Sequence, residues 1–256
     1  MIDFARKVLD APLGATHLFW VGQAGFVIKS EKGKLLGIDL YLSECVELVE
    51  GHVGYHRLMP QILGYDELIF DVLIATHFHR DHFDIDAMTG LLSNGRTHLF
   101  CAYDCKDDVE RLDLDRRRTT FVKAGDNVDC AGFHIDFIHS DHGVGAPLEV
   151  APIVSVDGKT ILEAGDTSFH LDWKNEYLQA GPLDVLIAPI NGAYGNLNEQ
   201  EHVDLTATLK PKLTVPCHFG MFAAHGGHPG LWKDLLEQQL PEQGYKLFTM
   251  GEGITL

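Results

Sequence analysis

The sequence has few basic residues relative to acidic ones. Its 256 residues include 20 lysine and arginine side chains against 37 aspartate and glutamate side chains, which gives a formal net charge of −17 at pH 7. Such a charge repels polyanions and argues against an extended surface for nucleic acid or for an anionic membrane. One small phosphorylated substrate is still allowed, because cations bound in a cleft dominate the local field. We therefore expect a small-molecule substrate, and neither nucleic acid nor a membrane as partner.

Paired cysteines and long apolar runs are also lacking. The five cysteines are odd in number and form no Cys-x-x-Cys pair, so neither a disulfide framework nor a structural zinc knuckle is predicted. No apolar run approaches the roughly 18 residues that cross a bilayer, and residues 1–7 lack the long apolar segment of a secretory signal. These features predict a cytoplasmic protein and leave open whether it forms a homo-oligomer.

The apolar content is high enough for a sizeable core. Apolar residues make up 45% of the chain, and no low-complexity linker divides it. We therefore expect a single domain over residues 1–256. Two hairpins are predicted, one from strands at 26–28 and 35–38 and one from strands at 153–156 and 160–162. Helices are predicted over 84–92 and 198–209, and a long connection with one short helix over 41–67.

The most informative segment is THFHRDH at residues 76–82, directly after the apolar run at 72–75. A four-residue apolar run is typical of a strand buried on both faces, so the polar cluster lies on a loop at a strand end. The cluster offers more ligands than one tetrahedral metal site normally takes from one segment. It predicts a site for two metals, with a solvent-exposed histidine-rich loop as the less favoured alternative. The candidate ligands are His77, His79, Asp81 and His82.

Further ligand types follow later predicted strands. His139 and His142 end a strand with one polar face; one of them is expected to be a ligand, and the glycine-rich loop after His142 favours that residue. Asp166 follows the second hairpin beside a glycine, where it can bridge two cations or, alternatively, cap a helix. His218 follows a predicted strand at 213–216.

The pentapeptide DVLIA occurs at residues 71–75 and again at 184–188, each time before a polar loop. With the strand before His218, this repeat predicts two similar halves whose strand ends meet on one active edge. Asp39, at the end of the opening hairpin, is either an acceptor for a ligand histidine or a plain strand-end aspartate. The candidate substrate-binding residues on the later loops are Asn191, Tyr194, His225 and His228.

The motif HxHxDH at residues 77–82, followed in order by His142, Asp166 in Gly-Asp-Thr and His218, resembles the metallo-β-lactamase superfamily. The resemblance covers nearly the whole chain. The segments FWVGQAGFVIKSE, IATHFHRDHFD, FVKAGDNV, AGDTSFH and VPCHFG are most similar to the L-ascorbate-6-phosphate lactonase branch. The resemblance implies an α/β fold, a four-layer αββα sandwich with a dinuclear site on one edge of its two sheets.

The resemblance also implies a ligand set and a reaction. Two divalent cations are the implied cofactors, manganese as in the lactonase branch or zinc as in many other members. The implied reaction is the opening of a sugar lactone or sugar-phosphate lactone, such as L-ascorbate 6-phosphate, by a hydroxide that bridges the cations. The leaving alkoxide would be protonated through Asp81 or Asp166, the two implied catalytic residues. The implied ligands are His77, His79 and His142 for the first cation, Asp81, His82 and His218 for the second, and Asp166 as the bridge.

The sequence departs from the lactonase branch in its shorter length and in the loop at 219–228, so the resemblance does not fix the substrate. One alternative is a phosphodiesterase for a small or cyclic diester, and another is a non-catalytic metal-binding protein. A diiron branch of the superfamily replaces a first-loop histidine by a carboxylate, and the presence of His79 and His82 disfavours it.

Overall fold

The computed structural model describes residues 3–51 and 53–256. Within these ranges the chain alternates short buried strands with short helices. The helices are α1 Phe4–Asp10, α2 Cys45–Glu50, α3 Met88–Leu92, α4 Lys106–Arg111, α5 Lys174–Tyr177, α6 Glu199–Leu209 and α7 Pro229–Gln239. The strands are β1 His17–Gly22, β2 Gly25–Lys29, β3 Leu35–Ile38, β4 Val72–Ala75, β5 His98–Ala102, β6 Thr119–Val122, β7 Asn127–Cys130, β8 Phe133–His139, β9 Val150–Val156, β10 Lys159–Glu163, β11 Val185–Pro189, β12 Leu213–Cys217 and β13 Gly253–Thr255.

The strands form two mixed sheets. The first has the order β13-β1-β2-β3-β4-β5-β6 and the second the order β12-β11-β10-β9-β8-β7. In the first sheet β3 to β6 run parallel, and in the second β10, β11 and β12 run parallel. The two copies of DVLIA supply β4 and β11, one to each sheet. Because parallel central strands are covered on both faces, their sequences are continuous apolar runs.

The sheets pack face to face and helices cover their outer faces. Alternate side chains of β4 separate cleanly, since Val72 and Ile74 enter the core between the sheets while Leu73 and Ala75 face an outer cluster. That outer cluster includes residues of α1, α3 and α4, and a third cluster joins the second sheet to α5 and α6. This four-layer αββα arrangement confirms the fold class predicted from the sequence.

Both predicted hairpins are confirmed, by the antiparallel pairs β2–β3 and β9–β10. So are the helix after Asn198, which begins with a capping box, and the short helix in the 41–67 connection. The sequence prediction missed α1 and did not separate β1 from the opening hairpin. Among the described residues, no helix is both long and apolar enough to span a membrane.

The helix predicted over 84–92 is shorter than expected and begins only at Met88. The Asp84 carboxylate accepts hydrogen bonds from the backbone N–H groups of Asp86 and Ala87, so this stretch forms a turn. It also accepts from the backbone of residues 42 and 43, at 2.8 and 2.7 Å. Asp84 therefore ties the loop after the histidine cluster to the start of the 41–67 connection.

Candidate metal centre

The two sheets bring the ligand candidates to one edge. The histidine cluster follows β4, Asp166 follows β10 and His218 follows β12, so all three lie beyond the carboxyl ends of parallel strands. Such ends are where open α/β sheets place their binding sites. His142 reaches the same edge from the loop after β8. The meeting of strand ends predicted from the repeated pentapeptide is thus present in the fold.

Seven side chains form three overlapping groups whose candidate ligand atoms lie within 4.8 Å of one another. His77 belongs to two of the groups and His82 to two, so the groups form one continuous cluster of five histidines and two aspartates. The three groups are His77, His79 and His142; His77, His82 and Asp166; and Asp81, His82 and His218.

Asp166 occupies the middle of this cluster. Its Oδ2 lies 3.1 Å from Nε2 of His218, 3.4 Å from Nε2 of His82 and 3.8 Å from Nε2 of His142. The carboxylate therefore faces histidines of both outer groups. His218 also lies 3.3 Å from Oδ2 of Asp81.

The side chains fit divalent cations. Nε2 of His82, Nδ1 of His142 and Oδ1 of Asp166 are buried and have no hydrogen-bond partner among the described residues. Buried polar atoms without partners are costly, and a structure that gathers several of them needs a further partner for them. Imidazole nitrogens combined with carboxylate oxygens are ligands of zinc and of other divalent transition metals.

The pKa shifts divide the cluster into two halves. Burial lowers the pKa of His79 to about 4 and that of His77 well below its usual value, so both are neutral near pH 7 and keep a lone pair for a cation. Burial also disfavours charge on His218, but Asp166 and Asp81 outweigh it and raise the pKa of His218 to about 9. The part of the cluster around Asp81 and Asp166 thus favours a positive charge on His218.

Asp39 holds His82 of the cluster and the preceding Thr76 by hydrogen bonds. Its Oδ2 lies 2.7 Å from Nδ1 of His82, and its two oxygens accept from the backbone N–H and hydroxyl of Thr76 at 2.8 and 2.7 Å. With Nδ1 held by Asp39, Nε2 of His82 faces the cluster. Of the two readings that the sequence left for Asp39, the geometry favours the acceptor for a ligand histidine.

Two supporting residues were missed from the sequence. Nε2 of Gln23 donates to Oδ2 of Asp81 at 2.8 Å and lies 3.0 Å from Nε2 of His218. Oε1 of Glu149 accepts from the backbone N–H of Asp166 at 2.7 Å and lies 3.3 Å from Nδ1 of His77. Gln23 interrupts an apolar stretch, which was a usable signal, whereas nothing in the sequence around Glu149 distinguishes it.

His218 is held in an unusual backbone conformation. Its φ is 61°, in the left-handed region that residues with a side chain seldom adopt. Its backbone N–H donates to the carbonyl of Gln23 at 3.1 Å, which fixes the turn after β12. Such local strain persists only where the surroundings enforce it and is common at functional sites.

The structure separates the two histidines that the sequence left as alternatives. His142 is buried and belongs to the group with His77 and His79. The side chain of His139 is 64% exposed, and its Nδ1 lies 2.7 Å from Oε1 of Glu176 on the outside of the molecule. Of the two, His142 is thus the one that lies among the other candidate ligands.

A cavity of about 510 Å³ opens above the cluster. Among the candidate substrate-binding residues, Tyr194 and His225 line it. Asn191 is buried and is not among the residues that line the cavity, and Gly226 packs closely against its carbonyl oxygen. His228 is exposed and outside the lining, because it directly precedes α7 and its backbone N–H donates to Glu199.

Comparison with known proteins agrees with this fold. Residues 17–218 match the model of the beta-lactamase superfamily domain, and the chain belongs to this superfamily. The superfamily predicted from the motifs is therefore confirmed, while the lactonase branch stays a prediction. A UPF0173 metal-dependent hydrolase from Anaeromyxobacter dehalogenans is 28% identical over 236 residues, which cover 86% of this chain and 80% of that protein.

Solved structures show the same fold at low sequence identity. Igni18, a metallo hydrolase from Ignicoccus hospitalis, is 19% identical with a TM-score of 0.76, over 94% of this chain and 98% of that one. An isothiocyanate hydrolase from Delia radicum gut bacteria is 17% identical with a TM-score of 0.74, over 94% and 98% of the two chains.

Proposed function

We propose that the protein is a metal-dependent hydrolase that uses two divalent cations to open a small lactone or cleave a small carboxylic ester. The observation that carries this proposal is the continuous cluster of seven ligand-type side chains, with unpartnered buried atoms, at the floor of a cavity. The hydrolase relatives among the similar proteins support the reaction class. A cavity of about 510 Å³ suits a small molecule.

The residues divide between two cation positions that share one carboxylate. His77, His79 and His142 would hold one cation, Asp81, His82 and His218 the other, and Asp166 lies between them. Divalent cations bound there would lower the pKa of water, toward about 7 in the best-known zinc case, and would polarise the carbonyl group that is attacked. Manganese and zinc are both compatible with these ligands.

The carboxylates of the cluster handle protons. Oδ2 of Asp81 is oriented by the amide of Gln23, while Oδ1 of Asp166 is left without a partner among the described residues. Both residues line the cavity. Either carboxylate can take the proton released by the attacking water and return it to the leaving alkoxide. Neither residue needs to act as a nucleophile.

The cavity is partly open to solvent. The residues of its walls would therefore have to position the substrate. Tyr194 and His225 line the cavity and are the proposed substrate contacts. Asn191 would act through the backbone of the loop at 221–230 instead of by direct contact. A phosphorylated sugar lactone and a small phosphodiester are the other substrates to be tested.

The test is a turnover screen of protein loaded with manganese and, separately, with zinc. A panel of lactones and carboxylic esters is compared with bis-p-nitrophenyl phosphate, which reports phosphodiesterase activity. We expect lactone or ester turnover that His79→Ala and Asp166→Ala abolish while the variants stay folded by circular dichroism. Turnover of the diester alone would replace the lactonase proposal by a phosphodiesterase. No turnover of any compound by protein with full metal content would indicate a non-catalytic metal-binding protein.

A further inference from the structure

The cavity has a second wall, apart from the metal cluster, which is largely apolar and which we call the apolar wall. Val46 and Val144 line it, together with the aromatic rings of Tyr55 and Tyr194. Val144 follows His142 on a loop between two glycines and is fully exposed. Tyr194 is 58% exposed at the same cavity. Apolar side chains that remain exposed around a binding cavity commonly mark the surface that a ligand covers.

The aromatic groups run from the cluster outward. The ring of His225 stacks on that of His218 with 4.8 Å between centroids. His225 then meets the rings of Tyr55 and Tyr194 edge to face, at 5.9 and 5.6 Å. The Tyr55 and Tyr194 hydroxyls hydrogen-bond to each other, so their polar ends are paired and their ring faces remain for packing.

Away from the proposed cations, the charged side chains of the cavity lining disfavour an anionic substituent. Among the described lining residues, Arg80 is the one permanent cation, and its guanidinium forms an ion pair with Asp108. Glu50, on the same short helix as Val46, adds an acidic group to the lining. A phosphate group away from the reacting bond would therefore meet an acidic residue and an already paired arginine.

We infer that the substrate carries an apolar or aromatic substituent next to its scissile ester or lactone bond, and that Val46, Val144, Tyr55 and Tyr194 bind this substituent. The inference rests on the proposed hydrolase function, which concerns the bond that is broken. It adds the chemical class of the part of the substrate that does not react. The reacting carbonyl lies at the histidine and aspartate cluster, and the substituent extends along the aromatic rings toward the exposed valine. The substrate class is a lipophilic lactone or ester and not a phosphorylated sugar lactone.

The direct test compares three lactones on the metal-loaded protein: γ-decalactone, γ-valerolactone and 6-phosphogluconolactone. Each fully buried methylene group strengthens binding about fourfold. Because the wall is partly open, we expect kcat/KM for γ-decalactone to exceed that for γ-valerolactone by at least about tenfold, with the phosphorylated lactone slowest. Equal values for the two alkyl lactones, or a preference for the phosphorylated one, would overturn the inference.

A charged substitution locates the effect. Val144→Asp places a carboxylate on the apolar wall at an exposed position, where folding is not at risk, and should reduce the preference for γ-decalactone to within about threefold. Leu13→Asp is the matched control, since it makes the same charge change at an exposed leucine outside the cavity lining. It should keep the tenfold preference. Equal preferences in the two variants would contradict the assignment of Val144.

A binding measurement separates this inference from the hydrolase proposal. The hydrolysis products 4-hydroxydecanoate and 4-hydroxypentanoate differ only in alkyl length, and their affinities can be measured by calorimetry whether or not turnover occurs. The inference predicts at least about tenfold tighter binding of the longer product to the metal-loaded protein. If neither lactone turns over but the longer product binds more tightly, the hydrolase proposal fails and the apolar subsite stands. Equal affinities overturn the subsite.

Discussion

Nδ1 of His82 lies 2.7 Å from Oδ2 of Asp39, and both side chains are fully buried. The pair orients the imidazole so that Nε2 faces Asp166 across 3.4 Å. Carboxylates that hold a ligand histidine in this way typically contribute 10-fold to 100-fold to metal affinity. We expect Asp39→Asn, which keeps the shape but loses the charge, to weaken binding of one cation by about that factor, measured by competition with a chelator.

A surface pair provides the control for that variant. Oδ1 of Asp129 lies 2.9 Å from Nδ1 of His134 on the exposed face of the β7–β8 hairpin. Asp129→Asn removes the same charge from the same type of pair, away from the cluster, and should leave metal affinity unchanged. If both variants weakened affinity equally, net charge and not the orientation of His82 would be the cause.

His142 and His139 make a matched test of the metal group. His142→Ala removes one of the three imidazoles in the group of His77, His79 and His142, so roughly one equivalent of metal per chain should be lost on dialysis. His139→Ala removes a histidine from the outer surface and should keep the full content. Metal analysis by mass spectrometry distinguishes the two. Retention of full content by the His142 variant would remove it from the ligand set.

Glu149 should matter for the stability of the cluster. Its Oε1 accepts from the backbone N–H of Asp166, and both groups are buried. Glu149→Ala leaves that N–H without a partner, which should lower the free energy of unfolding by about 1–3 kcal/mol in urea denaturation. Glu149→Gln keeps a side-chain oxygen at the same place and should cost less. An alanine variant as stable as the wild type would show that the hydrogen bond is unimportant.

The buried His202 predicts a pH dependence of stability outside the metal cluster. Its Nε2 lies 2.8 Å from the hydroxyl of Thr214, and burial lowers the pKa of His202 to about 4 in the folded protein. Because the unfolded chain binds a proton at this imidazole more strongly than the folded chain does, protonation favours unfolding. The stability that neutral His202 provides is therefore fully present above about pH 6.5 and is lost as the pH falls toward 4.

The corresponding measurement compares unfolding of the wild type and His202→Gln at pH 7 and pH 5. The wild type should lose about 2 kcal/mol more than the variant over this interval, since glutamine does not titrate. Titration of the ligand histidines is common to both proteins and cancels in the comparison. Equal losses in the two proteins would mean that His202 already carries a proton, or is open to water, at pH 5.

Much of the candidate site was predictable because its residues follow apolar strands. The loop at 76–82 concentrates four candidate ligands in one place, and Asp166 and His218 each follow a recognisable strand. Gln23 and Glu149 were not predicted, because their contacts with the cluster form only when the chain folds. The break that Gln23 makes in an apolar stretch was a signal, but it does not by itself indicate which residues Gln23 contacts. His228 lies three residues after His225 on the same loop, so the sequence did not distinguish the two. In the structure, the start of α7 turns the chain away from the cavity at His228.

The same reasoning applies to the fold. Runs such as that of β4 predict buried strands, since little else explains four consecutive apolar residues bounded by polar ones. The length of α3 could not be predicted, because the periodicity of 84–92 is helical and the turn depends on contacts of Asp84 with residues 42 and 43. Contacts between distant segments override local preference there.

The metal content of the purified chain is the sharpest test of the proposed two-cation centre. After removal of metal with a chelator and reloading with manganese or zinc, we predict about two bound cations per chain and lactone or ester turnover that returns with them. Asp166→Ala, which removes the carboxylate between the two groups, should lower the metal content and abolish the turnover. A wild-type chain that binds no divalent cation under these conditions would contradict the proposed centre.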